Sequence, residues 1–224
     1  MGRPIHGGCF YNGLSGAIGL TVHETDNFQC ISEIQATTGQ LVDMTSHAGS
    51  AIIGITTSQS PGGKVRITYD SIHGLSANDI ISTMVVSGVG VTLATTIVNT
   101  TVVDTDITWD AELHTTTVGY AQRPVCLRIS TGFGGWYQYN FSVSARTVSA
   151  SGVEVALALI VETTVDTGTH IIGFVPTADP VTISHAGIIK LNSGDRVWLA
   201  IKNFDSTDDF SIWSGGWGLT RIGG

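Results

Sequence analysis

The chain has 224 residues, of which 42% are hydrophobic and only 12% charged, and its formal net charge is −8. It is long enough for one large core or two small ones, offers no basic stripe to neutralise nucleic-acid phosphates, and has no apolar run near the roughly 20 residues of a membrane-spanning helix. With 28 glycines, many Ser and Thr and few charges, it is expected to hide surface against copies of itself or a larger assembly.

Met1-Gly2-Arg3-Pro4-Ile5-His6 lacks the apolar centre of a signal peptide, and His6 stands where a myristoylation signal needs Ser or Thr. Export by the usual routes is therefore not expected. Cys9, Cys30 and Cys126 are odd in number and far apart, which suits neither a CxxC metal pair nor a disulfide framework. Buried free thiols are the expectation. No segment keeps a helical period beyond about two turns. Strands read instead at Ala51–Thr57, Lys64–Tyr69, Ile80–Ser87, Val91–Val98, Gln138–Ala145, Val153–Val161 and Arg196–Lys202. Between them Pro61-Gly62-Gly63, Ser151-Gly152, Asn192-Ser193-Gly194 and Ser214-Gly215-Gly216 supply turn chemistry. Short β-branched strands at turn spacing predict an all-β sandwich or barrel. A boundary is expected near Tyr120–Pro124, where a Thr-rich stretch ends and Arg123-Pro124 interrupts pairing. Residues 1–121 then form an N-terminal β region and 122–224 a second domain.

The stretch GGKVRITYDSIHGLSANDIISTMVVSG, Gly62 to Gly88, runs strand, His73-Gly74-Leu75, Asn78-Asp79, strand. It is similar to small β-modules in tail and other structural proteins of tailed phages, where HGL follows a strand and an acidic residue opens the next. The resemblance implies that 60–121 is such a module, serving as a particle anchor. His73 would close its turn and Asp79 cap it, in place of a catalytic dyad.

Four segments follow in order: GWYQYNFSVSA (Gly135–Ala145), VEVALALIVE after a Ser-Gly turn, IIKLNSGDRVWLAIKN, and FSIWSGGWGLTRI at the end. Their Gly-x-Tyr-x-aromatic-x-Phe strand, Leu-x-x-Gly-Asp-x-Val-aromatic-Leu strand and closing aromatic-Ser-Gly hairpin resemble the C1q/TNF jelly roll over about the last hundred residues. Within GDRVWLAIKN, Val197, Leu199 and Ile201 alternate onto one face, and Trp198, Ala200 and Lys202 onto the other. The second face is too apolar for water. The resemblance implies a compact trimer in which one sheet surrounds a three-fold axis, so that Trp198 and Ala200, with Trp213 and Trp217 of the hairpin, meet neighbouring subunits. The alternative is that a loop of the same chain covers Trp198. Asp195 is placed to accept backbone N–H groups of its turn, and Arg196 to pair with an acid.

No GxSxG, HExxH, Walker loop or GxGxxG after a strand is present, and no catalytic residue, cofactor or metal is assigned. His6, His23, His47, His73, His114, His170 and His185 are scattered without ligand spacing. Only a three-fold axis could gather copies of His170 or His185 around a metal. Asp205, Asp208 and Asp209 resemble a calcium loop in composition but read as a solvated turn. Asp110 with Glu112, and Glu154 with Glu162, read as acidic surface because nothing fixes a glycosidase separation. Asn99 and Asn140 head glycosylation sequons that mean little without export. Trp136, Tyr137, Trp213 and Trp217 form an aromatic group for which core or trimer packing suffices, with sugar stacking as the alternative.

The expected fold is all-β, a small N-terminal β-domain followed by a trimeric C1q/TNF-like jelly roll. The expected function is a non-catalytic homotrimeric virion structural protein of a tailed bacteriophage, in a head decoration, head fibre or tail fibre, assembled in the bacterial cytoplasm. Its partners would be itself, other capsid or tail proteins and a host surface glycan, with neither nucleic acid nor membrane. The alternative is a C1q-like ligand- or carbohydrate-binding module of bacterial origin.

Overall fold

Tyr137, Tyr139, Phe141, Val143 and Ala145 point inward along one strand while Gln138, Asn140 and Ser142 point out, the period-2 signature of a sheet with one wet face. The computed structural model describes residues 6–12, 20–22, 29–30, 35–37, 44–47, 49, 53–84, 89–114, 118–147, 152–176, 179–204 and 210–224. Among these, every regular element is a strand.

Five short strands come first: β1 (His6–Asn12), β2 (Leu20–Val22), β3 (Gln29–Cys30), β4 (Gln35–Thr37) and β5 (Met44–His47). Next come β6 (Ile53–Gln59), β7 (Lys64–Tyr69), β8 (Ile80–Met84), β9 (Val91–Ile97), β10 (Val102–Thr108) and β11 (Val118–Gln122). These close an antiparallel barrel in the order β10-β7-β6-β11-β8-β9. The chain continues through β12 (Cys126–Ile129), β13 (Gly135–Thr147), β14 (Val153–Val161), β15 (Thr164–Val165), β16 (Ile171–Val175), β17 (Val181–Leu191), β18 (Arg196–Asn203) and β19 (Phe210–Gly223).

Outside the barrel the strands form two sheets. Sheet 1 runs β17-β13-β19-β1-β4, with β2 added to β19; sheet 2 runs β15-β14-β18-β12-β5, with β16 on β14 and β3 on β18. From β12 onward the chain crosses repeatedly between the sheets, which is jelly-roll connectivity. Tyr139, Phe141, Ile189, Trp217 and Leu219 of sheet 1 and Leu127, Leu157, Leu159, Val197 and Leu199 of sheet 2 share one apolar core. The barrel has a separate core of Ile55, Val65, Ile67, Tyr69, Ile81, Ala94 and Val103.

The pairing redraws the expected division at 121/122. β1, β2 and β4 pair within sheet 1, and β3 and β5 within sheet 2, so the first strands belong to the sandwich and the barrel is inserted between β5 and β12. Adding strands to existing sheets covers edges that would otherwise stand open. The closing hairpin expected at Ser214-Gly215-Gly216 is also replaced. β19 runs unbroken through it, with Gly215 opposite Val143 on one side and Tyr11 on the other. Backbone pairing on both flanks holds those glycines extended where their sequence suggests a turn.

Candidate functional site

The centre of sheet 2, where β14 pairs with β18, is buried on both faces. In β18 the inward Val197, Leu199 and Ile201 and the outward Trp198 and Ala200 are all within 2% of full burial. Ile160 pairs with Trp198 and Ala158 with Ala200 on the same outer face, and both are fully buried too. The cover comes from the same chain. Along β8, Ile81 faces the barrel interior whereas Ile80 joins the sandwich cluster containing Trp198, and Val91 and Leu93 of β9 pack against that cluster. Trp198 and Ala200, expected at a trimer interface, have no exposed surface left to give one. The barrel occupies that side, and the Trp198 Nε1–H donates to the Glu162 carbonyl at 3.2 Å.

Where barrel and sandwich meet, a cavity of about 560 Å³ is lined by Asn78 and Asp79 from the barrel and Arg123, Arg128, Glu162 and Arg196 from the sandwich side. Arg196 forks onto Glu162, its Nε lying 3.0 and 3.2 Å from the two carboxylate oxygens, and its Nη1 donates across the junction to the Asn78 carbonyl at 2.5 Å. Arg123 donates to Asp79 Oδ2 at 3.1 Å. Such charge-assisted pairs fix orientation as well as adding energy. Asn78 and Glu162, with φ of 69° and 56°, are the two non-glycine residues of positive φ among those described. Left-handed backbone costs a non-glycine residue about 1 kcal/mol or more and tends to gather at functional sites. Cys126 also lines the cavity, and burial, opposed by the Arg196 cation and reinforced by Glu162, pushes its thiol up to about 11. Of this arginine cluster, sequence reasoning singles out Arg196 alone. Arg128 stands opposite Arg196 only through the β12–β18 register, which the sequence does not display.

The outer face of sheet 1 is different in kind. Gln138, Asn140 and Ser142 of β13 and Thr182, Ser184 and Ala186 of β17 are exposed there, beside Gly216 and Gly218 of β19. Ile188 of β17 is exposed on the same face, and among the described side chains charge is confined to the two ends, Arg146 and Lys190. Trp136 lies half exposed at one end with Lys190 Nζ 5.9 Å over its ring. Tyr137 and Trp217 point into the core and are 0% and 3% exposed, so the aromatics do not form one stacking platform. Trp217, expected at the trimer interface, is a core residue. The side chain of Trp213 lies outside the described residues.

Turn residues have defined partners. The Leu75 N–H donates to His73 Nδ1 at 2.8 Å, and His73 Nε2 lies 3.0 Å from the Asn99 carbonyl. The Nδ1 contact requires an acceptor there, which leaves Nε2 as the donor. Asp79 Oδ2 accepts the Ser76 N–H at 2.9 Å, and Asp195 Oδ2 accepts the Asn192 N–H at 2.7 Å. Asp110 Oδ1 accepts the Glu112 N–H within a turn. Glu154 and Glu162 bracket opposite ends of β14, about 26 Å apart at strand rise, which is too far for a glycosidase pair. His185 leans on Tyr139 and Phe141 at ring-centroid distances of 5.7 and 5.8 Å, and His170 is exposed. Among the described residues no three His, Cys, Asp or Glu gather as metal ligands; Asp205, Asp208 and Asp209 lie outside them.

No family model matches the chain, and no curated protein matches it in sequence. Among solved structures, Eiger TNF from S. frugiperda is similar at 15% identity and a TM-score of 0.33, over 76% of this chain and 92% of its own. The isomalto-dextranase of Arthrobacter globiformis T6, complexed with panose, is similar at 11% identity and a TM-score of 0.23, over 74% of this chain. This chain spans 36% of that enzyme's length. The jelly-roll architecture rests on the strand pairing itself.

Proposed function

We propose that this chain is a non-catalytic structural protein that assembles into a homotrimer through the outer face of sheet 1, as a head-decoration, head-fibre or tail-fibre component of a tailed-phage particle. One observation carries the reading: among the described side chains, the outer face of sheet 1 is uncharged between its ends and carries small polar residues together with the exposed Ile188, in a chain whose net charge is −8. Burying Ser, Thr and Asn with hydrogen-bonding partners costs far less than burying unpaired charge, and interface cores are depleted in charge. The barrel covers the other side of the sandwich and is left facing outward, free to contact other particle proteins or a host-surface glycan. Support for the particle itself is the likeness of the HGL stretch to phage β-modules.

Sedimentation equilibrium at micromolar concentration is expected to give about 70 kDa, three times the 23.5 kDa chain; a stable monomer sinks the assembly. Capsid, portal or tail genes are expected beside this one, and a neighbourhood without them removes the particle assignment. Screens against peptidoglycan, host polysaccharide and simple esters are expected to show no turnover. An activity abolished by changing Asp110 or Glu112 refutes the non-catalytic part.

A further inference from the structure

The junction cavity is built around more positive charge than its own carboxylates neutralise. Of the chain's ten Lys and Arg, three line it. Arg196 is matched by Glu162 and Arg123 by Asp79. Arg128 has no ion pair among the described residues, and it stands directly opposite Arg196 on the neighbouring strand. Like charges facing each other across a strand pair are unfavourable, and in a chain of net charge −8 a local surplus of one positive charge is an exception. On the barrel wall Asp79 receives both of its bonds on Oδ2, leaving Oδ1 as an acceptor. Both left-handed non-glycine residues, Asn78 and Glu162, border the space. Its volume of about 560 Å³ falls among ligand pockets, roughly 300–1,000 Å³.

We propose that this cavity binds a monoanionic sugar acid, with the carboxylate on Arg128 and a ring hydroxyl donating to Asp79 Oδ1. The charge count selects a single carboxylate, and the open acceptor at Asp79 Oδ1 with a volume of about 560 Å³ suits a hydroxylated ring beside it. One surplus guanidinium suits one carboxylate, whereas a phosphate dianion would bring a second negative charge against Asp79 and Glu162. A neutral sugar would leave Arg128 uncompensated. The site lies on the opposite side of sheet 2 from sheet 1 and does not rest on the trimeric reading.

The probe is D-glucuronate, titrated calorimetrically at low ionic strength against glucose and inorganic phosphate. Glucuronate is expected to saturate at about millimolar concentration, with glucose weaker by about tenfold or more, since each tenfold step reflects one modest interaction. Phosphate is expected to bind no more tightly than glucuronate. Arg128→Gln is expected to weaken glucuronate by about 10- to 100-fold, the range of a charge-assisted hydrogen bond. Lys190→Gln, which removes a distant cation, is expected to leave the affinity unchanged. The proposal is overturned by no glucuronate binding at about 10 mM, by equal affinity for glucose, by tighter phosphate, or by equal losses in the two variants. Arg128 is exposed, so its variant is expected to fold; should it not, the comparison of glucuronate with glucose on the unchanged protein still decides.

Discussion

The two sheets of the sandwich are built from similar strands and treat their outer faces in opposite ways. Sheet 1 shows clean alternation, with Tyr137, Tyr139 and Phe141 inward and Gln138, Asn140 and Ser142 in solvent. Sheet 2 has apolar residues on both faces, and β18 is buried from Val197 through Ile201. The difference records what each face meets. A face that closes on the chain's own barrel carries Trp198, Ala200 and Ile160; a face left open by that chain carries mostly hydroxyls, amides and glycine, with Ile188 as an exposed exception. An apolar second face thus signals a cover without naming it, and here an insertion within the same chain supplies it.

The comparison breaks most severely at Trp198. Trp198→Ala is expected to lower stability by about 3–5 kcal/mol, as other large core truncations do, and Trp198→Asp by more, since it buries an unpaired charge. Urea denaturation followed by circular dichroism measures both. Val197→Asp, on the inner face, should fail in the same way. Folded Trp198→Asp monomers would mean that the barrel does not hold this face.

A smaller effect separates the junction from the rest by pH. The Cys126 thiol is raised to about 11 by burial, so the unfolded chain ionises first as pH climbs past the ordinary thiol range. The folded form then holds the extra proton, and stability falls between about pH 9 and 11 with no change below. The whole loss across that window is at most about 2–3 kcal/mol. Denaturation midpoints of the unchanged protein and Cys126→Ala at pH 8 and pH 10.5 should converge at the higher pH; parallel curves would place the thiol in water.

On sheet 1 the same kind of substitution should scarcely touch the fold. Ser142→Asp is expected to change unfolding free energy by no more than about 0.5 kcal/mol, as exposed positions do. It should nevertheless shift the sedimenting mass from trimer toward monomer, because three added charges would meet in the interface. A variant that stays trimeric puts the interface on another face.

Much of the sandwich is legible in the sequence because alternation is local. The strands at Gln138–Ala145, Val153–Val161 and Arg196–Lys202 announce themselves within a few residues, and the apolar second face of GDRVWLAIKN is plain. What covers that face is not legible, because the answer lies in register. Arg196 reaches Asn78, 118 positions away, and Ile80 turns to the sandwich only because β8 pairs with β9 and β11. β19 misleads for the opposite reason. Glycine chemistry suggests a turn until strands on both sides claim the backbone. The turn contacts of His73, Asp79 and Asp195 involve close neighbours or the next loop, and sit in motifs short enough to see.

β6 and β11, the first and last strands of the barrel, are themselves neighbours, with Ile53 opposite Ala121. The insertion therefore leaves the sandwich and returns to it through a single seam. In evolutionary terms, such a module can be gained or exchanged whole by one recombination event, with no rethreading of its host. Trp198 and Ile160, both fully buried, mark how far sandwich and barrel depend on each other. A lineage that lost the barrel would be left with an oily sheet face, and would have to repopulate it with polar residues or find a lodger to replace it.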